Sequence, residues 1–221
     1  MKYVASMLIV LALIVADRMG VFGTSGDLNR ERDRKNRSRK YRPGSAAIKR
    51  NYAADMQTYH DKAFRVAKVV DGDTLDVSQV DALMDKPVTR IRLLGVDTPE
   101  TVKPNTPVQH FGPQASEFAS KFCLRRTVRL ELIKDRNTRD KYGRLLAYVH
   151  SDPSERIDRC LNAELIRQGY GYADPRYPHP RKAAFAALQL NARKNDIGLW
   201  AKAGRKDLPY YYQEGKFKLG Q

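Results

Sequence analysis

Apolar and polar positions alternate over residues 88–95, where Arg90 and Arg92 interleave with Ile91 and Leu93. A period of two predicts a half-buried strand. It runs into Asp97-Thr98-Pro99-Glu100, a turn stiffened by its proline. Val128, Leu130 and Leu132 alternate in the same way with Arg129, Glu131 and Ile133, a further strand. Residues 64–70, FRVAKVV, form a strand that stops at Asp71-Gly72, and residues 74–77 return from it as a hairpin. The connection over residues 79–86 is polar and irregular. Residues 145–149 are apolar on both faces, as in a central strand.

A period near 3.6 takes over elsewhere. Gly112-Pro113 opens a helix, with proline at a position that needs no N–H, and Ala115, Phe118, Ala119 and Phe122 share one face. Ile157, Leu161 and Leu165 line a second helix that Gly169 closes, and Phe185, Leu188 and Ala192 line a third over residues 183–192. Ile197, Leu199 and Trp200 pin the end of that helix to the core. Residues 101–111, with Pro104 and Pro107, are a loop. Pattern alone supports an α+β domain over residues 63–202, without internal repeats.

The ends differ in character. Lys2 precedes an apolar run over residues 3–16, which suits a signal peptide or, if extended through Phe22, an anchor. Residues 1–23 are therefore expected to take the chain to or across a membrane, making it secreted or membrane-anchored. Residues 24–62 are read as a basic, disordered linker, because the stretch up to residue 50 has almost no large apolar side chains. Residues 203–221, with Tyr210 to Tyr212, show no period and are read as a C-terminal tail that packs locally.

Charge sharpens the picture. The 221 residues carry 41 Lys and Arg against 25 Asp and Glu, formally +16. Residues 27–50 account for +7 of it, and residues 51–221 stay basic, with 29 cationic and 21 acidic side chains. A basic surface favours a polyanionic partner. The two cysteines, Cys123 and Cys160, lie in no CxxC or Cys/His cluster, so the sequence carries no zinc motif. They are read as small buried residues, with a disulfide between them open if the domain is exported.

The chemistry gathers at strand ends. Arg92, Asp97 and Glu100 come from one strand and its turn, Asp73 from the Asp71–Thr74 turn, and Arg144 opens a later strand. Two carboxylate turns, a base and two arginines are what metal-assisted attack on a phosphodiester requires. Asp73 and Asp97 offer hard oxygen donors suited to Ca²⁺ or Mg²⁺. Asp71 and Asp76 are read as turn or surface residues.

The turn DGDT at residues 71–74, RLLGVDTPE at 92–100, FGPQAS at 111–116, DKYGR at 140–144, LNAELIRQG at 161–169 and GLW at 198–200 resemble, in the same order, the staphylococcal nuclease (thermonuclease) family. The resemblance spans residues 64–200. It implies a five-stranded OB-fold β-barrel decorated by three α-helices. It implies Ca²⁺ held by Asp73, Asp97 and the backbone carbonyl of Thr98, with Glu100 activating water and Arg92 and Arg144 on the phosphate. Lys141 and Tyr142 match positions that contact a nucleotide phosphate. Tyr172 and Tyr177 both lie where the family carries a tyrosine near base and sugar. The chain departs from the family there, at Asp174-Pro175 and Pro178, and again in a longer hairpin between Thr74 and Arg92. The implied activity is hydrolysis of DNA and RNA with low sequence specificity, breaking the 5′ P–O bond and leaving 3′-phosphates. No protein partner is implied, and a monomer is expected. The alternative is a non-catalytic nucleic-acid-binding module of the same fold, which would be expected to lack members of the set Asp73, Arg92, Asp97, Glu100 and Arg144.

Overall fold

The computed structural model describes residues 45–101, 107–155 and 159–219, with side chains from residue 51 onward. The expectations for residues 1–23, for the linker up to residue 44, for Pro104 and for Ile157 fall outside the described residues.

Five strands close a barrel: β1 (Lys62–Asp71), β2 (Thr74–Val77), β3 (Thr89–Leu93), β5 (Thr127–Glu131) and β6 (Leu145–His150), in the order β1-β2-β3-β6-β5. Strands β4 (Val96–Asp97) and β7 (Tyr172–Ala173) form a separate two-stranded ribbon. The alternation read in the sequence puts Val66, Leu75, Val77, Ile91, Leu93, Val128 and Leu130 inside the barrel, each at most 2% exposed. Burying this apolar surface is the main force closing the sheet.

Two registers bring the chemistry together. Strand β2 pairs antiparallel with β3, Thr74 opposite Arg92, so Asp73 arrives beside Arg92. Strand β6 pairs parallel with β3, Arg92 opposite Leu146. Arg144 is two residues before Leu146 and so falls on the same face of the sheet as Arg92.

The helices are α1 (Ser45–Tyr59), α2 (Gly112–Cys123), α3 (Leu161–Arg167), α4 (Lys182–Lys194) and the short α5 (Tyr210–Gln213). Helices α2, α3 and α4 are the three expected; α1 and α5 are additions among the described residues. Helix α1 lies inside the stretch read as disordered linker. Its Tyr59 is buried and bonds Thr89 Oγ1 at 2.9 Å, which anchors it to the barrel. Asn162 on α3 is fully buried. It donates to the carbonyls of Leu94 and Ala147 and accepts from Val149 N–H, tying α3 to β6 and to the turn after β3. That turn needs Gly95: its φ is +69°, and the His179 ring lies 2.4 Å from where a Cβ would stand.

The C-terminal segment is also integrated. Tyr211 and Tyr212 join Tyr172, Ala192, Leu199 and Trp200 in a second apolar cluster. Tyr212 donates to Ala173 O at 2.7 Å. Cys123 and Cys160 are unpaired, and Cys123 is buried. Among the described residues no helix is long and apolar enough to cross a membrane.

Candidate active site

A cleft of about 1050 Å³ opens where β1 to β3, the β5–β6 loop and the segment after β7 meet. The β2–β3 register sets its floor. Arg92, at the end of β3, places Nη1 2.9 Å from Asp73 Oδ2 and Nη2 2.9 Å from Asp97 Oδ1. The planar guanidinium thus spans two carboxylates, one from the β1–β2 turn and one from the end of β4. Its Nη1 also donates to Val96 O at 2.8 Å, which locks the side chain over the turn. Burial works against its charge, but Asp73 and Asp97 outweigh burial and hold it above its ordinary value.

Thr98 N–H donates to Asp73 Oδ2 at 3.0 Å, joining the two carboxylate turns directly. Asp97 receives more. Its Oδ2 accepts from Arg176 Nη2 and from Tyr211 Oη, both at 3.1 Å. Arg176 is itself held by Asp174 at 2.7 and 2.8 Å. Burial pushes the Asp97 carboxyl up to about 6, only partly offset by Arg92. Neither Arg176 nor Tyr211 stands out in the sequence. Tyr211 lies 114 residues from Asp97 in a stretch without periodicity.

Asp71 keeps its place at the turn but is not a surface residue. It is buried, its Oδ1 accepting from Thr101 Oγ1 at 2.7 Å, Gly72 N at 2.8 Å and Ser116 Oγ at 3.1 Å. Burial raises its carboxyl, and contact with the Glu100 side chain raises it further, against the pull of Thr101 and Gly72. Glu100 therefore shares the cleft wall with a second acid. The Glu100 backbone is fixed on both sides by Gln109, whose Oε1 accepts from Glu100 N at 2.8 Å and whose N–H donates to Glu100 O at 2.9 Å. Asp76 is likewise buried, where Arg90 grips it at 2.8 and 3.0 Å.

Arg144 lines the same cleft, its Nε donating to Asp140 Oδ2 at 2.7 Å and its guanidinium 5.5 Å from the Tyr142 ring centre. Lys141 and Tyr142 are exposed on the rim, the ammonium 5.0 Å from the ring. Tyr177 is exposed and lines the cleft beside Arg176. Tyr172 does not line it. It is buried in β7 with its hydroxyl donating to Asp207 O at 2.9 Å, so it supports Asp97 from behind, as its partner in the β4–β7 ribbon.

The donor chemistry suits a hard cation. Among the described residues Asp73 Oδ1 accepts one bond, from Thr74 Oγ1, and Asp97 Oδ1 accepts one, from Arg92, so each oxygen retains a lone pair towards them. Thr98 Oγ1 beside them is buried and has no hydrogen-bond partner among the described residues. Among the described residues no group of three or more His, Cys, Asp or Glu forms a metal cluster, so a cation here would depend on two carboxylates with neutral oxygens.

Carboxylates on the floor of a barrel-side cleft, with arginines on its floor and wall, are groups suited to binding a phosphate-bearing substrate. Comparison with known proteins agrees. Residues 90–202 match the family model described as staphylococcal nuclease homologue. The thermonuclease of Staphylococcus intermedius is 39% identical over 142 residues, covering 64% of this chain and 77% of that protein. The thermonuclease of Staphylococcus hyicus is 35% identical over 148 residues, covering 66% and 80%. Endonuclease YncB of Bacillus subtilis is 34% identical over 137 residues, covering 62% and 61%. The chain belongs to the staphylococcal nuclease family, and it is a nuclease.

Proposed function

We propose that this nuclease hydrolyses DNA and RNA with little sequence preference, requires Ca²⁺, and leaves 3′-phosphate ends. The observation that carries the reading is the bridge of Arg92 between Asp73 and Asp97, in a cleft that Glu100 and Arg144 also line. Asp73, Asp97 and the Thr98 carbonyl would hold the cation, which when bound supplies Lewis-acid stabilisation of charge on the phosphoryl oxygens.

The remaining work falls to this chain's side chains. Glu100 orients a water and accepts its proton as the water oxygen attacks phosphorus. Arg92 and Arg144 donate to phosphoryl oxygens whose negative charge grows in the five-coordinate transition state. The bond to the 5′ oxygen breaks, that oxygen takes a proton from solvent water, Glu100 returns its proton to solvent, and the phosphate stays on the 3′ side. Lys141, Tyr142 and Tyr177 contact phosphate, sugar or the faces of bases, none of which encodes sequence, so relaxed specificity follows.

The test is digestion of plasmid and single-stranded substrates with Ca²⁺, with Mg²⁺ and with chelator, followed by analysis of product ends. Cleavage that needs Ca²⁺ and yields 3′-phosphates is expected. Undiminished cleavage in excess chelator would remove the metal from the account, and 5′-phosphate products would reverse the bond assignment. We propose further that residues 1–23 direct export or anchoring, on the strength of Lys2 and the apolar run after it. Cell fractionation tests this, and a full-length cytosolic protein would contradict it.

A further inference from the structure

We propose that Arg139, clamped by Asp55 and Asp81, is a positioning residue for Arg144, so that helix α1 and the β2–β3 loop belong to the catalytic apparatus. The inference rests on the reading of Arg144 as a phosphate ligand.

Arg139 is among the most enclosed charges in the described structure. Its Nε and Nη2 donate to the two oxygens of Asp55 at 2.9 and 2.7 Å. Its Nη1 donates to Asp81 Oδ2 at 2.6 Å and to Gly143 O at 3.0 Å. All three side chains are at most 4% exposed. Asp55 comes from α1 and Asp81 from the β2–β3 loop, both outside the matched residues 90–202. Asp55 Oδ2 also accepts from Thr138 Oγ1 at 2.6 Å.

These contacts converge on one turn, residues 138–144. Within it Asp140 accepts from Tyr142 N–H and Arg144 N–H and holds Arg144 Nε. Arg139 grips the turn at its start, through its own backbone, and near its end, through the Gly143 carbonyl. The β2–β3 loop presses from outside as well. Gly143 has φ +83°, and Met84 packs so closely that a Cβ there would lie 2.3 Å from its terminal carbon. Met84 N–H bonds Asp81 Oδ1, so the residue that clamps Arg139 also seats Met84. The longer connection between Thr74 and Arg92 thus has a structural use.

Energetics favour a positioning role over a purely stabilising one. Asp55 and Asp81 outweigh burial in holding the Arg139 charge, but all three groups lose hydration, and apolar side chains of similar volume commonly serve stability as well. What apolar replacements would lack is the directional grip on the Gly143 carbonyl and on both ends of the turn. Arg144 has a long side chain, and fixing its backbone and Nε in advance removes much of the ordering needed when phosphate arrives.

The experiment compares the full chain with Arg144→Ala, with the apolar triple Asp55→Leu/Asp81→Leu/Arg139→Met, and with the combination. Readouts are urea midpoint, single-turnover cleavage and affinity for a nucleoside bisphosphate inhibitor. The triple variant is expected to keep its midpoint, to lose on the order of 10²-fold in rate as misplacement of a reacting group does, and to bind the inhibitor more weakly. Added to Arg144→Ala it should cost little more, because both changes remove one interaction. A folded triple variant with wild-type rate, or a loss that multiplies fully with that of Arg144→Ala, would overturn the inference. If the triple variant fails to fold, Asp55→Asn, which leaves Arg139 paired with Asp81, enters the same cycle and is judged by the same criteria. A wild-type chain without cleavage would remove this inference along with the reading beneath it; an active wild type with an unaffected clamp variant removes this inference alone.

Discussion

The hydroxyl of Tyr211 donates to Oδ2 of Asp97 across 3.1 Å. Tyr211 is 1% exposed, and the Arg176 guanidinium lies 4.4 Å from the centre of its ring while donating to the same carboxylate oxygen. Burial holds the phenol far above its ordinary range, so it remains a donor at every working pH. Tyr211→Phe keeps the ring and removes the bond. Outer contacts that orient a ligand are typically worth about 10- to 100-fold in metal affinity. Calorimetric titration with Ca²⁺ is expected to show weakening in that range with little change in thermal midpoint. Unchanged affinity would make Tyr211 a packing residue only.

Gly72 sits where the two carboxylate turns touch. A Cβ on it would lie 2.8 Å from Thr98 Oγ1 and 2.9 Å from Ala115 Cβ. Gly72→Ala therefore has to push Asp73 and Thr98 apart or displace α2. Overpacking of this kind costs about 1–3 kcal/mol, and urea denaturation should show a loss of that size together with a slower cleavage rate. A variant equal to wild type in both would mean the turn is softer than its contacts imply.

His179 gives stability an acid limit. Burial lowers its pKa from 6.5, helped by Arg181 and Lys182 and opposed by Asp174. Tyr148 Oη lies 2.8 Å from its Nδ1, and its buried Nε2 has no partner among the described residues. The folded state thus takes up the proton less readily than the unfolded chain. Stability from the neutral ring is complete above the unfolded value of about 6.5 and drains as pH falls towards the lower folded value. In chelator, the urea-midpoint gap between wild type and His179→Gln should narrow from pH 7 to pH 5. A constant gap would contradict this.

What the sequence showed and what it hid divide along physical lines. Arg90 to Leu93 alternate because one barrel face is packed and the other is not, so β3 and the position of Arg92 were legible. Arg144 was legible as the start of an apolar strand. Asp71 was not, because a turn aspartate and a buried one look alike until Ser116, 45 residues away, is seen to reach it. Tyr172 and Tyr177 differ in exposure through the β4–β7 ribbon, and two-residue strands carry no periodicity. Helix α1 begins in a basic stretch with a weak apolar face, and its partners Thr89 and Arg139 lie 30 and 84 residues on. Tyr211 and Tyr212 pack through tertiary contacts that no local pattern encodes.

In the proposed reaction Glu100 activates water while Arg92 and Arg144 stabilise developing charge. Single-turnover cleavage at saturating Ca²⁺, measured beside equilibrium binding of a nucleotide inhibitor, separates these roles. Glu100→Gln should lose about 10²- to 10⁴-fold in rate with inhibitor binding nearly intact. Arg92→Lys keeps a charge but loses the fork that spans Asp73 and Asp97, and should lose on the order of 10²- to 10³-fold. Near-wild-type rates in both variants would place the chemistry elsewhere.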